Sequence, residues 1–166
     1  MFQDEASFGR ITEPCRCWAP KGIRPIIKTH RVREYVHTYG ATAPKTGECF
    51  YLVLPYANTL CMNMYLKALS ERFADTLILL AQDQAVYHTT DKLEIPENIQ
   101  LFHIPPATPE LNPQEGLWKE IRKRGFKNKS FPTLKNVVDK LCEVINTLTP
   151  DVNKSIADRD WILFGF

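Results

Sequence analysis

Apolar and polar positions in this chain follow two periods, and the places where one gives way to the other mark its elements. From about Met1 to Phe8 the side chains alternate, with Phe2, Asp4 and Ala6 on one face and Gln3, Glu5 and Ser7 on the other, which predicts a half-buried strand. The Pro- and Gly-containing stretch from Pro14 to Pro25 reads as a short strand followed by a turn. Arg33 to Ala43 and Glu48 to Leu54 then form a hairpin around the polar turn Pro44-Lys45-Thr46-Gly47. Asn58 suits the cap of a helix running to about Phe73, because Met62, Tyr65, Leu66, Leu69 and Phe73 recur at helical spacing. That stripe is core.

Thr76 to Gln82 contains a continuous apolar run of buried-strand type. A short helix near Thr89 to Leu93, a strand at Ile99 to Ile104 and a helix opened by Asn112 follow. A last helix from about Thr133 to Leu148 carries Leu134, Val137, Val138, Leu141, Val144, Ile145 and Leu148 at helical spacing. This order predicts an α/β domain whose mixed five-stranded sheet has three antiparallel strands and then two parallel ones, flanked by helices.

Composition narrows the class. With 166 residues and 44% hydrophobic content, the chain can bury its own core as a single domain. The five cysteines, Cys15, Cys17, Cys49, Cys61 and Cys142, form no Cys-x-x-Cys pair and match no common zinc spacing, which points to reduced thiols in a cytosol. No signal peptide or membrane span is visible, so a soluble cytoplasmic protein is expected. The formal charge of +2 conceals strong segregation. Residues 10–33 carry seven Lys or Arg against Glu13, and residues 119–130 carry six against Glu120, whereas residues 34–118 hold four basic and ten acidic side chains. Such patches supply phosphate contacts whatever the global charge, and they predict a polyanion-binding surface.

The candidate chemistry starts at Ile104–Trp118, reading IPPATPELNPQEGLW. Pro105, Pro106 and Pro109 predict an extended, rigid approach; Asn112 can cap the helix and Pro113 suits its first position. Glu115 then falls in the first turn. Local residues alone leave it two roles, as a functional carboxylate at the helix mouth or as the last member of a capping box with a further pair to Lys119. Asp4 and Glu5 stand side by side on the first strand, and alternation does not choose between them. Asp83 ends the buried strand, a place where open sheets carry function.

Asp, Asp and Glu on strand, strand and helix, with the wording QDE, then Asp83-Gln-Ala-Val-Tyr-His88, then PPATPELNPQEGLW, resemble the catalytic domain of DDE transposases of the mariner superfamily, especially the bacterial insertion-sequence branch. The resemblance runs from Asp4 to about Leu141. Trp18, Pro20, Lys21, Gly22 and Pro25 look like that branch's WxPKGxxP turn, and Asn58 stands where the family has an Asn opening its first long helix. Gln84 departs from the family, which has Asn there, and the interval from Asp83 to Glu115 is slightly short.

The resemblance implies an RNase H-like fold in which Asp4, Asp83 and Glu115 are the catalytic, metal-holding residues. Two divalent ions suit phosphodiester chemistry, and a carboxylate triad without His or Cys ligands suits Mg2+ or Mn2+. Asp4 would bridge both ions, with Asp83 and Glu115 each holding one. His88 and Asn112 are then expected behind the ligands, while Lys21, Arg24, Lys119, Arg122 and Lys123 meet DNA. Trp118 reads as a core anchor and Trp18 as a dimer contact. The implied activity is cleavage at transposon ends and transfer of the 3′-hydroxyl strand into target DNA by a homodimer, in a bacterial or archaeal nucleoid. The alternative is an inactive or truncated remnant that binds DNA or dimerises. Members of the superfamily carry paired helix-turn-helix modules before this domain, and the chain begins three residues before Asp4. The expectation is therefore one catalytic domain, with end recognition supplied by a separate or removed helix-turn-helix region.

Overall fold

The computed structural model describes residues 1–158. Five strands form one mixed sheet: β1 (Phe2–Gly9), β2 (Tyr35–Thr42), β3 (Cys49–Leu54), β4 (Ile78–Gln82) and β5 (Ile99–His103), in the order β3-β2-β1-β4-β5. β1 is central because it pairs antiparallel with β2 and parallel with β4; β5 then adds parallel to β4. Four helices cover the sheet: α1 (Thr59–Arg72), α2 (Gln114–Gly125), α3 (Leu134–Asn146) and α4 (Pro150–Ala157).

Period-two alternation divides the core between the two faces. On one, Met62, Tyr65, Leu66 and Leu69 of α1 pack on Tyr39, Ala41, Ile78 and Leu80. On the other, Trp118 and Ile121 of α2 and Val137, Leu141 and Val144 of α3 pack on Ala6, Phe8 and Val36. Asp4 therefore points toward α2 and Glu5 toward the α1 side. Asn58 caps α1 by accepting from the Cys61 amide at 2.9 Å. None of the helices of the described residues is long and apolar enough to cross a membrane.

Two expected elements are absent. Residues 14–25 form no strand; the segment between β1 and β2 leaves the sheet as an arm. Its base is pinned by Arg10 N to Glu34 O and Thr12 N to His30 O, both 3.1 Å, while Trp18 and Ile26 stand essentially fully exposed. Pro14, Pro20 and Pro25 have no N–H to give a ladder, which accounts for the missing strand.

The helix expected near Thr89 to Leu93 is replaced by an earlier 3-10 turn at Val86–His88. Thr90 Oγ1 instead donates to Asp91 Oδ1 and accepts from Lys92 N, each at 3.3 Å, a local bonding pattern that competes with helix. In the other direction, α4 is an additional element. Thr149 caps it with Pro150 at its first position, and Asn153 Nδ2 donates to Gly47 O at 3.2 Å, docking α4 on the β2–β3 turn. Gly47 has φ +76, and a Cβ there would lie 1.9 Å from Pro150 O.

Candidate active site

The sheet register brings the two aspartates together. Phe2 is aligned with Ala81 on parallel neighbours, so Asp4 and Asp83, two residues further on along each chain, emerge at the same end of the sheet and line one cavity. Glu115 arrives from the other direction, in the first turn of α2. Pro113 has helical dihedrals at the helix start, and Asn112 Oδ1 accepts from Gln114 N at 3.1 Å, as capping chemistry requires. Asn112 Nδ2 donates to Gln3 O at 2.8 Å, which ties the helix mouth to the central strand. Asp4, Asp83 and Glu115 line one cavity of about 240 Å3 with Asn112 and the proline-rich lead.

That lead is not extended as its prolines suggest. It folds back through Ala107, whose φ is +57, and a 3-10 turn at Pro109–Leu111, with Thr108 Oγ1 donating to Pro105 O at 2.6 Å. The capping box is also absent. The Asn112 amide goes to Pro109 O at 3.1 Å, and among the described residues the Glu115 carboxylate has neither that bond nor an ion pair with Lys119. Glu115 is thus left free of local partners at the cavity wall.

Asp4 lies against α2, where Trp118 Nε1 donates to its Oδ2 at 2.9 Å. Gly40, opposite Asp4 on β2, makes this approach possible: a Cβ there would lie 2.7 Å from both Trp118 and Gln114. Burial, with the charges of Glu5 and then Glu115, pushes the Asp4 carboxyl up to about 7, against the opposing pull of the Trp118 hydrogen bond. The sequence marked Trp118 as a core anchor, which it is at 1% exposure, but gave no sign of the indole N–H on Asp4.

Asp83 is held from behind. Its Oδ1 accepts from Ala85 N at 3.0 Å and faces His88 Nδ1 at 2.7 Å; His88 Nε2 in turn faces Glu5 Oε1 at 3.0 Å. His88 is almost fully buried. Burial lowers its affinity for a proton, but the hydrogen bond and charge of Glu5, with Asp83, outweigh that and shift it upward. Gln84, the departure from the family pattern, donates from Nε2 to Ile104 O at 3.1 Å and so ties the β4 end to the proline lead. Among the described residues, no three His, Cys, Asp or Glu side chains are grouped so that they could hold a metal ion as they stand.

The basic side chains are not equivalent. Lys119 is exposed and shares with Glu115 the wall of an adjoining cavity of about 560 Å3. Lys21 and Arg24 are exposed on the arm. Arg122, expected to meet DNA, has its guanidinium over the Phe8 ring, 5.2 Å from the centroid. Lys123 is exposed, but pairs with Glu120 at 3.3 Å.

The sequence model of the DDE superfamily endonuclease family matches residues 1–138, and the chain belongs to that family. An uncharacterized protein of Sinorhizobium fredii, y4pE/y4sA, is 35% identical over 130 residues, covering 76% of this chain and 96% of the relative. Solved structures of the Mos1 mariner transposase superpose on 94% of the chain: its paired-end complex with the left transposon end at TM-score 0.70 and 13% identity, and its paired-end complex with Mn at 0.71 and 16%. The Mos1 catalytic domain alone matches at 0.65 and 11%. The chain spans 50% of the length of the Mos1 chains in the two complexes and 74% of the isolated catalytic domain. At these identities the likeness is one of fold, the RNase H-like fold of mariner-type transposase catalytic domains.

Proposed function

We propose that this domain is the catalytic part of a transposase, cutting DNA at the ends of a mobile element and joining the released 3′ hydroxyl to target DNA. The observation that carries this reading is the shared cavity of Asp4, Asp83 and Glu115 at the junction of β1, β4 and the mouth of α2. A triad complete in all three positions favours an enzyme over an inactive remnant.

The donor set fits Mg2+ or Mn2+. Hard carboxylate oxygens line the cavity, and burial makes the Asp4 charge costly until a cation neutralises it. Asp4, Asp83 and Glu115 would hold the metal, Asp83 through the oxygen that His88 leaves free. Bound there, such ions would activate the attacking water or hydroxyl and neutralise charge on the transferring phosphate. The chain's own residues do the rest. Trp118 fixes the orientation of Asp4, Asn112 holds the helix mouth against β1, and Lys119 stands beside Glu115 to take a backbone phosphate. Lys21, Arg24 and Lys123 extend the positive surface. The exposed Trp18 arm suits contact with a second copy, and a helix-turn-helix polypeptide, fused or separate, suits recognition of the ends.

The test is nicking of supercoiled plasmid with Mn2+. Asp4→Asn, Asp83→Asn and Glu115→Gln should each abolish it while far-UV circular dichroism stays unchanged. Nicking retained in Glu115→Gln would reduce that residue to a part of the helix mouth and leave the triad incomplete.

A further inference from the structure

Glu5 sits on the β1 face opposite Asp4 and does not line the cavity, yet it is the most heavily bonded carboxylate near it. Its side chain is 8% exposed and receives three groups: Gln3 Nε2 at 2.8 Å, Tyr87 OH at 3.2 Å and His88 Nε2 at 3.0 Å. Beyond these partners the same face carries Tyr39, Ala41 and Leu80, packed on Leu66 of α1, with the buried amide of Gln82. A buried acid in such a place is costly, and a hydrophobic residue of similar volume would stabilise the fold at least as well. A structural role alone therefore explains Glu5 poorly.

The connection to chemistry runs through one ring. His88 bridges Glu5 to Asp83, and Asp83 Oδ1 is fully used by His88 and the Ala85 amide. The Asp83 side chain is otherwise about half exposed at a strand end, where it would sample several rotamers. Glu5 decides which imidazole nitrogen faces Asp83 and holds the ring plane, so Asp83 presents a single oxygen to the cavity. We propose that Glu5, acting through His88, is a positioning residue that orients Asp83 for divalent-metal binding. This rests on the reading of the triad as a metal site. A backing carboxylate that orients a ligand in this way changes metal affinity by about ten- to a hundredfold.

The experiment measures Mn2+ binding to the chelator-treated chain by the loss of the free Mn2+ paramagnetic resonance signal, together with the thermal melt of each variant. Glu5→Met fills the space but removes the acceptor; it should weaken Mn2+ binding about ten- to a hundredfold in a protein that still melts cooperatively. Glu5→Gln keeps an acceptor for His88 Nε2 and should bind within about threefold of wild type, a rescue that neither a direct ligand nor a purely electrostatic role allows. In a His88→Ala background, Glu5→Met should add nothing further, because the pathway is already cut. Imidazole 15N signals of His88 in the metal-free chain should move in both Glu5→Met and Asp83→Asn.

Wild-type affinity in a folded Glu5→Met protein overturns the proposal, as does an equal loss with and without His88. Should Glu5→Met not fold, His88→Ala with undiminished Mn2+ affinity overturns it instead. A wild-type chain that binds no Mn2+, or an Asp4→Asn variant that binds it as well, would remove the metal site itself. Failure confined to the Glu5 variants leaves that site standing.

Discussion

Asp4 carries opposing demands: its place against α2 makes it costly to ionise, and its proposed work requires the charge. Its folded value of about 7 lies above the unfolded 3.8, so the folded chain holds that proton more tightly. Stability from this group is therefore fully present below about pH 4 and is lost as pH rises through 7. In EDTA, Asp4→Asn should be more stable than wild type at pH 8, by on the order of 2–4 kcal/mol, with the difference vanishing near pH 4. Thermal melts across that range check this, and Mn2+ should restore the wild type selectively. Trp118→Phe removes the hydrogen bond that pulls Asp4 downward, so it should move the pH midpoint of Mn2+ binding upward. A midpoint that stays put would show the indole acting on Asp4 through packing alone.

Between elements, the contact that shapes the site is α2 against β1 and β2. Gly40 lets Trp118 and Gln114 come within reach of the sheet, and Gln114 answers Thr42 Oγ1 across the same gap. Gly40→Ala would push α2 outward, costing about 1–3 kcal/mol by overpacking and carrying Glu115 away from the aspartates. Denaturant melts should show the loss, and nicking should fall more than stability does. On the proposed function, the outer face of α2 meets DNA. Lys119→Gln should reduce the salt dependence of duplex binding by about one phosphate contact, whereas Arg122→Gln should chiefly cost stability through its lost stack on Phe8. Equal changes in salt slope for both would overturn that division.

For the molecule as a whole, the charge distribution and the arm set the expected behaviour with DNA. On the proposed function, both basic segments, residues 10–33 and 119–130, would supply phosphate contacts without base readout. The isolated 166 residues should bind element-end and scrambled duplexes with nearly equal affinity at one fixed salt concentration, and the affinity should fall steeply as salt rises. A preference for the ends of about a hundredfold, roughly 2.7 kcal/mol, would mean that this domain reads bases itself. Trp18, exposed on the arm, gives a second test: Trp18→Ala should leave the monomer's melt unchanged and weaken self-association on DNA in sedimentation velocity.

What was legible in the chain was whatever a few neighbouring residues decide. Alternation marked β1, an unbroken apolar run marked β4, and Asn58, Asn112 and Pro113 marked helix starts, because period and cap chemistry act over one or two turns. Asp4, Asp83 and Glu115 were picked out together by the family resemblance; the local signals alone left Glu5 as a rival to Asp4 and capping as a role for Glu115. Local rules misled where a competing partner stood far away or a small bonding motif prevailed, as at Thr89 to Leu93 and at the folded proline lead. Only the tertiary structure put Asp4 in the cavity wall and Glu5 behind it, put Arg122 on Phe8, and joined Glu5, His88 and Asp83 into one chain of contacts. Glu5 and His88 lie 83 residues apart, and their meeting depends on parallel pairing of β1 with β4, which no local pattern encodes.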